Sequence, residues 1–188
     1  SNKLKLKIKK QSVNERWLIF KGAMNQPTIR LTLALTFISI LAFAGLEATF
    51  ALWSERSFGW GVEQNGYIFA FIGTISALIQ GTMIGFLSRK FGEVGMVKQG
   101  FLALGVGLAI LPFTDNLPTL LITLVIIAYG FSISSPALNT LLSLNVPDEQ
   151  QGSILGIGRS ASTLARALGP AISGYLFAFI GKNWPFYI

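Results

Sequence analysis

The sequence contains no cysteine and no histidine, and only 12% of its 188 residues are charged. The sequence therefore cannot form disulfides, thiolate nucleophiles or imidazole bases, and it lacks the usual ligands of zinc. A soluble domain of this size carries about 25% charged residues. The deficit, together with 52% hydrophobic residues, indicates a membrane protein. We expect no enzymatic activity, no cofactor and no metal, since no carboxylate pair or activated nucleophile is evident.

Five apolar segments are long enough to cross a bilayer core, which takes about 17–25 residues each. Turn-forming residues separate them, and a truncated sixth span begins at about residue 184. We expect an all-α polytopic bundle behind a basic linker and interfacial segment at 1–28, cut from a longer protein. The predicted spans are 29–53, 66–88, 97–113, 118–139 and 153–180.

The basic residues are distributed unevenly between the two sides of this bundle. If the first span enters from the cytoplasm, eleven of the fifteen lie on that side and two, Arg56 and Lys182, on the other. By the positive-inside rule, the N-terminal segment is cytoplasmic. We expect a multi-pass protein of the plasma membrane. A basic linker against anionic headgroups accounts for the pI of about 9.9, so no nucleic acid partner is expected.

Polar residues recur at three- and four-residue steps in four of the five spans, which places each set on one helix face. This pattern predicts a water-filled cavity lined by the first, second, fourth and fifth spans, with the third against lipid. The alternative is that the hydroxyls only form hydrogen bonds between packed helices. The face in the first span comprises Thr32, Thr36, Ser39, Phe43 and Glu47.

Four residues are candidates for the substrate cavity or for ion coupling: Phe43, Glu47, Gln80 and Tyr129. Glu47 should lie roughly 27 Å from the cytoplasmic end of its span, at 1.5 Å per residue. It is then either a cation-attracting or proton-exchanging group at the outer mouth, or a carboxylate that caps the next loop.

Two arginines interrupt the fifth span. Counting back about 20 residues from Ile180 puts the inner edge of the span near Ala161, which places Arg159 at the headgroups and Arg166 about 8 Å inside that edge. Arg166 either extends back to the interface or helps close a cytoplasmic gate. The same count puts Glu47 on the opposite side of the membrane, so we expect the two not to pair.

Glycine and proline indicate where helices pack or bend. Gly81 and Gly85 form a Gly-x-x-x-Gly pair that permits close helix approach, and Gly169 narrows one side of the fifth span. Pro170 should bend that span near mid-membrane.

The loop GFLSRKFGE resembles the cytoplasmic signature of the major facilitator superfamily, with Gly85, Lys90 and Gly92 at the matching positions. Arg89 replaces the acid of that signature and Glu93 its final base, so the charge lock of the signature is not carried over. The stretches GLEATFALWSERSFGWGVEQNGYIFAFIG and RSASTLARALGPAISG, with WPF after a short loop, resemble spans seven, eight, eleven and the start of twelve. Their order resembles the tetracycline-resistance-like drug:proton antiporters.

This resemblance implies the C-terminal half of a twelve-span transporter, whose two six-helix halves rock around a central site. It implies small-molecule substrates, protons and the missing N-terminal half as partners within the bilayer, and export of amphipathic organic compounds. An importer of sugars or organic anions is the nearest alternative. A membrane receptor or scaffold is another, although it would have no use for Glu47 and Arg166 in a cavity.

Overall fold

The computed structural model describes residues 21, 22 and 24–187, and every regular element within this part is a helix. The first twenty residues of the predicted linker, and Ile188, lie outside the described residues. A π-helix, Ile79–Met83, joins the second and third α-helices, and short 3₁₀-helices cover Leu111–Phe113 and Trp184–Tyr187. The α-helices are α1 (Pro27–Phe58), α2 (Val62–Leu78), α3 (Ile84–Ile110), α4 (Leu117–Leu144) and α5 (Asp148–Phe179).

Helix α3 consists of two segments that meet at Gly92. This glycine has φ 66° and ψ 173°, a backbone conformation that residues other than glycine rarely adopt. The segment before it continues α2 and the π-helix, and the segment after it runs towards Phe113. The two segments correspond to the predicted second and third spans.

Three continuous helical stretches are long and apolar enough to cross a membrane, judged by length and composition alone. They are Pro27–Phe58, Val62–Phe113 and Leu117–Leu144. Helix α5 is as long as α1 but less apolar, because it carries Arg159 and Arg166 among many small residues. That α5 also crosses the membrane stays a prediction.

The helices pack mainly as two pairs, α1 with α5 and α3 with α4. Along the first pair, Gly158 of α5 lies near Leu33 of α1, and Gly169 lies against Leu41 of α1. Positions rise together in the two helices, so α1 and α5 run parallel. Helix α2 is more loosely held, since only Asn65 and Ile68 of its residues are buried.

Two hydrogen bonds fasten the end of α1 to neighbouring segments. The Trp53 Nε1–H donates to Asn183 Oδ1 at 3.2 Å, and the buried Ser54 hydroxyl donates to Asn65 Oδ1 at 2.8 Å. The first bond holds the segment after α5, and the second holds the start of α2. Together they fix the end of α1 that lies beyond the cavity described next.

Candidate functional site

A cavity of about 320 Å³ lies between α1, α2 and α4. Its wall is mostly apolar, and its ionisable group is the carboxylate of Glu47. Phe43 and Phe50 of α1 and Phe69 of α2 contribute aromatic rings, and Ser76 contributes a hydroxyl. An apolar wall with a few polar groups is the usual character of a small-molecule site. Of the predicted site residues, Phe43 and Glu47 are brought together here.

Neighbouring rings hold the aromatic part of this wall in place. Phe43 stacks on Phe131 of α4 with centroids 4.0 Å apart and ring planes 10° apart. Phe50 and Phe69 meet edge to face at 5.8 Å, a favourable arrangement for aromatic pairs. The cavity therefore offers flat aromatic surfaces from α1 and α2 to an aromatic ligand.

Glu47 also lies beside Arg166 of α5, with Arg166 Nη1 and Glu47 Oε2 3.8 Å apart. The prediction that these residues cannot pair is wrong. Within the described part of the chain, the Arg166 side chain is 58% exposed and the Glu47 side chain is 47% exposed. The separation exceeds the 2.7–2.9 Å of a charge-assisted hydrogen bond, so the contact is a loose ion pair.

The error came from placing the start of the fifth span too late. Helix α5 begins at Asp148, and the predicted inner edge near Ala161 lies well inside it. Arg166 is then about 27 Å along α5 and Glu47 about 30 Å along α1, at 1.5 Å per residue. Because the two helices run parallel, both side chains reach the same level. A gating role for Arg166 stays a prediction, but its depth no longer argues for one at the cytoplasmic end.

The hydroxyls predicted to line the cavity from α1 are buried instead. Thr32, Thr36 and Ser39 are at most 5% exposed. Each donates to a carbonyl of its own helix, at 2.8, 2.8 and 3.1 Å respectively. These three hydroxyls therefore form hydrogen bonds instead of lining a water-filled cavity. The acceptors are carbonyls of the same helix, whereas the alternative predicted bonds to neighbouring helices.

Gln80 and Tyr129 lie away from the cavity that contains Glu47. Gln80 is exposed in the π-helix, and Tyr129 lines a second, apolar cavity of about 520 Å³ between α2, the π-helix, α3 and α4. The Tyr129 hydroxyl donates to Gln99 Oε1 at 3.4 Å. The four candidate residues therefore do not form one site within the described chain, and substrate contact by Gln80 and Tyr129 stays a prediction.

Residues 32–188 match the sequence profile of the Major Facilitator Superfamily. The chain belongs to this superfamily. The recognition made from the loop and span motifs is confirmed, as is the prediction of an all-α membrane helix bundle of this fold.

Several members of the superfamily are similar over most of the chain. Major facilitator superfamily domain-containing protein 10 of Mus musculus is 32% identical over 147 residues, which are 78% of this chain and 32% of that protein. The class E tetracycline resistance protein of Escherichia coli is 26% identical over 185 residues, which are 98% of this chain and 45% of that protein. The tetracycline-resistance-like features of the sequence are thereby confirmed.

A crystal structure of the human organic anion transporter MFSD10 (TETRAN) matches the fold with a TM-score of 0.80 at 26% identity. The match covers 90% of this chain and 42% of that one. The chain thus spans less than half the length of each of these relatives. Members of this superfamily are integral membrane transporters of small molecules.

In the loop that resembles the superfamily signature, a serine hydroxyl forms a hydrogen bond with Glu93. The Ser88 hydroxyl donates to Glu93 Oε1 at 2.8 Å, across the turn at Gly92. Lys90 Nζ lies 5.6 Å from the ring centroid of Phe86. Glu93, at the position of the signature's final base, therefore accepts a local hydrogen bond. Arg89, Lys90 and Gly85 are assigned to the loop by sequence alone, and their part in transport stays a prediction.

The glycines that permit close helix contact differ from the most obvious sequence pair. A Cβ at Gly81 or Gly85 would meet nothing within 4 Å in the described structure. At Gly169, a Cβ would lie 2.7 Å from the Leu41 carbonyl oxygen, and at Gly130 it would lie 2.6 Å from that of Gly100. Pro170 follows Gly169 inside α5, and the helix continues to Phe179. Gly100 and Gly130 were missed because neither belongs to a Gly-x-x-x-Gly pair.

Proposed function

We propose that the complete protein is a secondary active transporter that exports amphipathic organic compounds in exchange for protons, by alternating access. The cavity that combines three phenylalanine rings with the Glu47 carboxylate is the observation that carries this proposal. The relatives support it: besides the tetracycline resistance protein, multidrug resistance protein 2 of Bacillus subtilis is 29% identical over 164 residues, 85% of this chain and 40% of that protein.

The charge of Glu47 argues for transport over a purely structural bundle. Glu47 lies in the interior of α1, one of the helices apolar enough to span the membrane. An acidic side chain at the centre of a span costs about 2.5–3.5 kcal/mol on insertion scales, so its presence by default marks an ion or substrate pathway. A receptor or scaffold gains nothing from this cost.

We further propose that this chain forms the C-terminal half of the transporter and meets a second half along α5. One exposed face of α5 carries small residues at helical spacing: Gly156, Ser160, Thr163, Ala167 and Ala171. The exposed face that adjoins it around the helix carries Leu164, Leu168 and Tyr175. Small residues are typical of helix contacts in membranes, and large apolar residues are typical of lipid contact.

The charge distribution supports an orientation within the plasma membrane with the N-terminal segment in the cytoplasm. Arg89 and Lys90, at the end of the first segment of α3 just before Gly92, fall on the same side as the basic N-terminal segment in this arrangement. Cytoplasmic loops of membrane proteins carry such an excess of arginine and lysine.

Import of organic anions is the second candidate function. The exposed Arg166 guanidinium beside the cavity favours it, as does the human structure, whose protein is described as an organic anion transporter. Export and import differ in the direction of the proton gradient that drives accumulation, which makes them separable by experiment.

The test uses the complete protein reconstituted in liposomes, with ethidium as the probe. A proton antiporter accumulates ethidium in liposomes that are acidic inside, whereas a proton symporter does so in liposomes that are alkaline inside. We expect accumulation in the acidic ones, and Glu47→Gln should lower its initial rate about tenfold or more because the carboxylate is lost. Glu55→Gln, on the same helix outside the cavity lining, is the matched control and should stay near the wild-type rate. Accumulation in neither liposome, or in alkaline liposomes alone, would contradict proton-driven export.

A further inference from the structure

Glu47 has two neighbours of opposite character. On one side its carboxylate borders the cavity with Phe43, Phe50 and Phe69, and on the other it faces Arg166, which does not line that cavity. A cation that enters the cavity and approaches Glu47 therefore competes with Arg166 for the same carboxylate.

The ion pair is weak enough to be exchanged. Its 3.8 Å separation and the roughly half-exposed state of both side chains are typical of pairs that contribute little to stability. Yet neither charge has another fixed partner at this depth. The stretches 31–54, 64–88, 99–114, 116–147 and 160–181 contain no charged residues other than Glu47 and Arg166.

The net charge of a ligand then decides whether opening the pair is tolerated. A monovalent cation on Glu47 leaves Arg166 without a counter-charge, and a monovalent anion on Arg166 leaves Glu47 without one. An uncompensated charge within a membrane span is costly, and Glu47 lies in a span while Arg166 lies in the predicted fifth span. A ligand that carries both a cationic and an anionic group satisfies both residues at once.

We propose that Glu47 and Arg166 make the transporter selective for amphipathic zwitterions. The cationic group binds Glu47, the anionic group binds Arg166, and the aromatic body lies among Phe43, Phe50 and Phe69. Aromatic rings accept such a body by stacking and edge-to-face contact. This inference rests on the proposed function, because it names the substrate class of the same cavity.

Three dyes with one xanthene core separate the effects of charge and shape. Rhodamine B is a zwitterion with no net charge at neutral pH, its ethyl ester is a cation, and sulforhodamine B has a net negative charge. Binding to the purified complete transporter in detergent is measured by fluorescence anisotropy. Rhodamine B should bind about tenfold or more tightly than either of the other two.

The single variants should reverse this preference in opposite directions. Glu47→Gln leaves Arg166 unpaired, so sulforhodamine B should become the tightest ligand. Arg166→Gln leaves Glu47 unpaired, so the ethyl ester should become the tightest. In the double variant all three dyes should bind within about threefold of one another. Glu55→Gln and Arg159→Gln, which change charges outside the pair, should keep the wild-type order.

Each outcome separates this inference from the proposed function. Equal binding of the three dyes by the wild-type protein, or an order that survives in the double variant, overturns zwitterion selectivity even if ethidium transport is intact. Loss of ethidium transport with the predicted dye order retained overturns the transport mechanism but not the selectivity of the site. If one single variant does not fold, the other single variant and the double variant still decide the result.

Discussion

At the scale of single residues, Arg166 is distinguished from Arg159 by its partner. Arg166→Ala leaves Glu47 without its counter-charge, whereas Arg159 has no acidic partner within the described chain. We expect Arg166→Ala to lower the rate of rhodamine B transport about tenfold or more, because the anionic group of this zwitterion loses its partner, and Arg159→Ala to lower it less than twofold. Removing both charges in Glu47→Gln/Arg166→Gln should be less harmful to protein stability than Arg166→Ala, as measured by thermal unfolding.

The geometry also determines what lysine would do at this position. Arg166 Nη1 and Glu47 Oε2 are 3.8 Å apart, which is too long for the paired hydrogen bonds that distinguish arginine from lysine. We therefore expect Arg166→Lys to retain most of the transport rate. If arginine bound Glu47 through two parallel hydrogen bonds, the same substitution would lower the rate much more. A rate as low as that of Arg166→Ala at matched expression would show that the guanidinium itself is needed.

The sequence identified these two residues but not their relation. A charge within an apolar run is costly, and this cost draws attention to Glu47 and Arg166 without any structure. Their relative depth depends on where α5 begins, and Pro147, Asp148 and Glu149 mark that start. Proline before a helix and acids in its first turn are known start signals, but the apolar run alone set the predicted boundary.

At the scale of elements, the contact between α1 and α5 depends on Gly169. Even the Cβ of alanine would lie 2.7 Å from the Leu41 carbonyl oxygen and 3.1 Å from the Gly45 nitrogen, so the helices would have to separate. We expect Gly169→Ala to destabilise the detergent-solubilised transporter by about 1–3 kcal/mol, as overpacking does. Gly174→Ala, on the same helix with nothing within 4 Å, is the matched control and should be neutral. Equal melting temperatures for both variants would show that the close contact is not maintained in the complete protein.

Helix positions were predictable from the sequence, but helix partners were not. Long apolar runs and turn residues predict to within a few residues where the described helices begin and end, because a helix that crosses a bilayer needs a run of a known length. Close packing depends on which residues of another helix lie opposite, and the sequence does not contain that pairing. Gly81 and Gly85 illustrate this, since their pattern is favourable for packing and yet no described helix approaches them.

At the scale of the whole molecule, the two exposed faces of α5 should behave differently in the membrane. Thr163 lies on the face of small residues beside Arg166, and Leu168 lies about 140° away around the helix, on the face of large apolar residues. If a second half packs against the first face and moves during transport, water reaches Thr163 in one state and is excluded in the other. Lipid covers Leu168 in both states.

Cysteine substitution tests this difference directly, because the chain has no native cysteine. In membranes containing the complete transporter, Thr163→Cys should react with a water-soluble maleimide at a rate that changes when a proton gradient is imposed. Leu168→Cys should stay unreactive with and without the gradient, and both should react after solubilisation and unfolding. An unchanging rate at position 163, or reaction at position 168 in the intact membrane, would contradict a moving contact between halves along this face. If only the rate at position 163 depends on the gradient, water reaches and leaves the side of α5 that carries Arg166 during transport. The Glu47–Arg166 pair would then open and close in step with this change in water access.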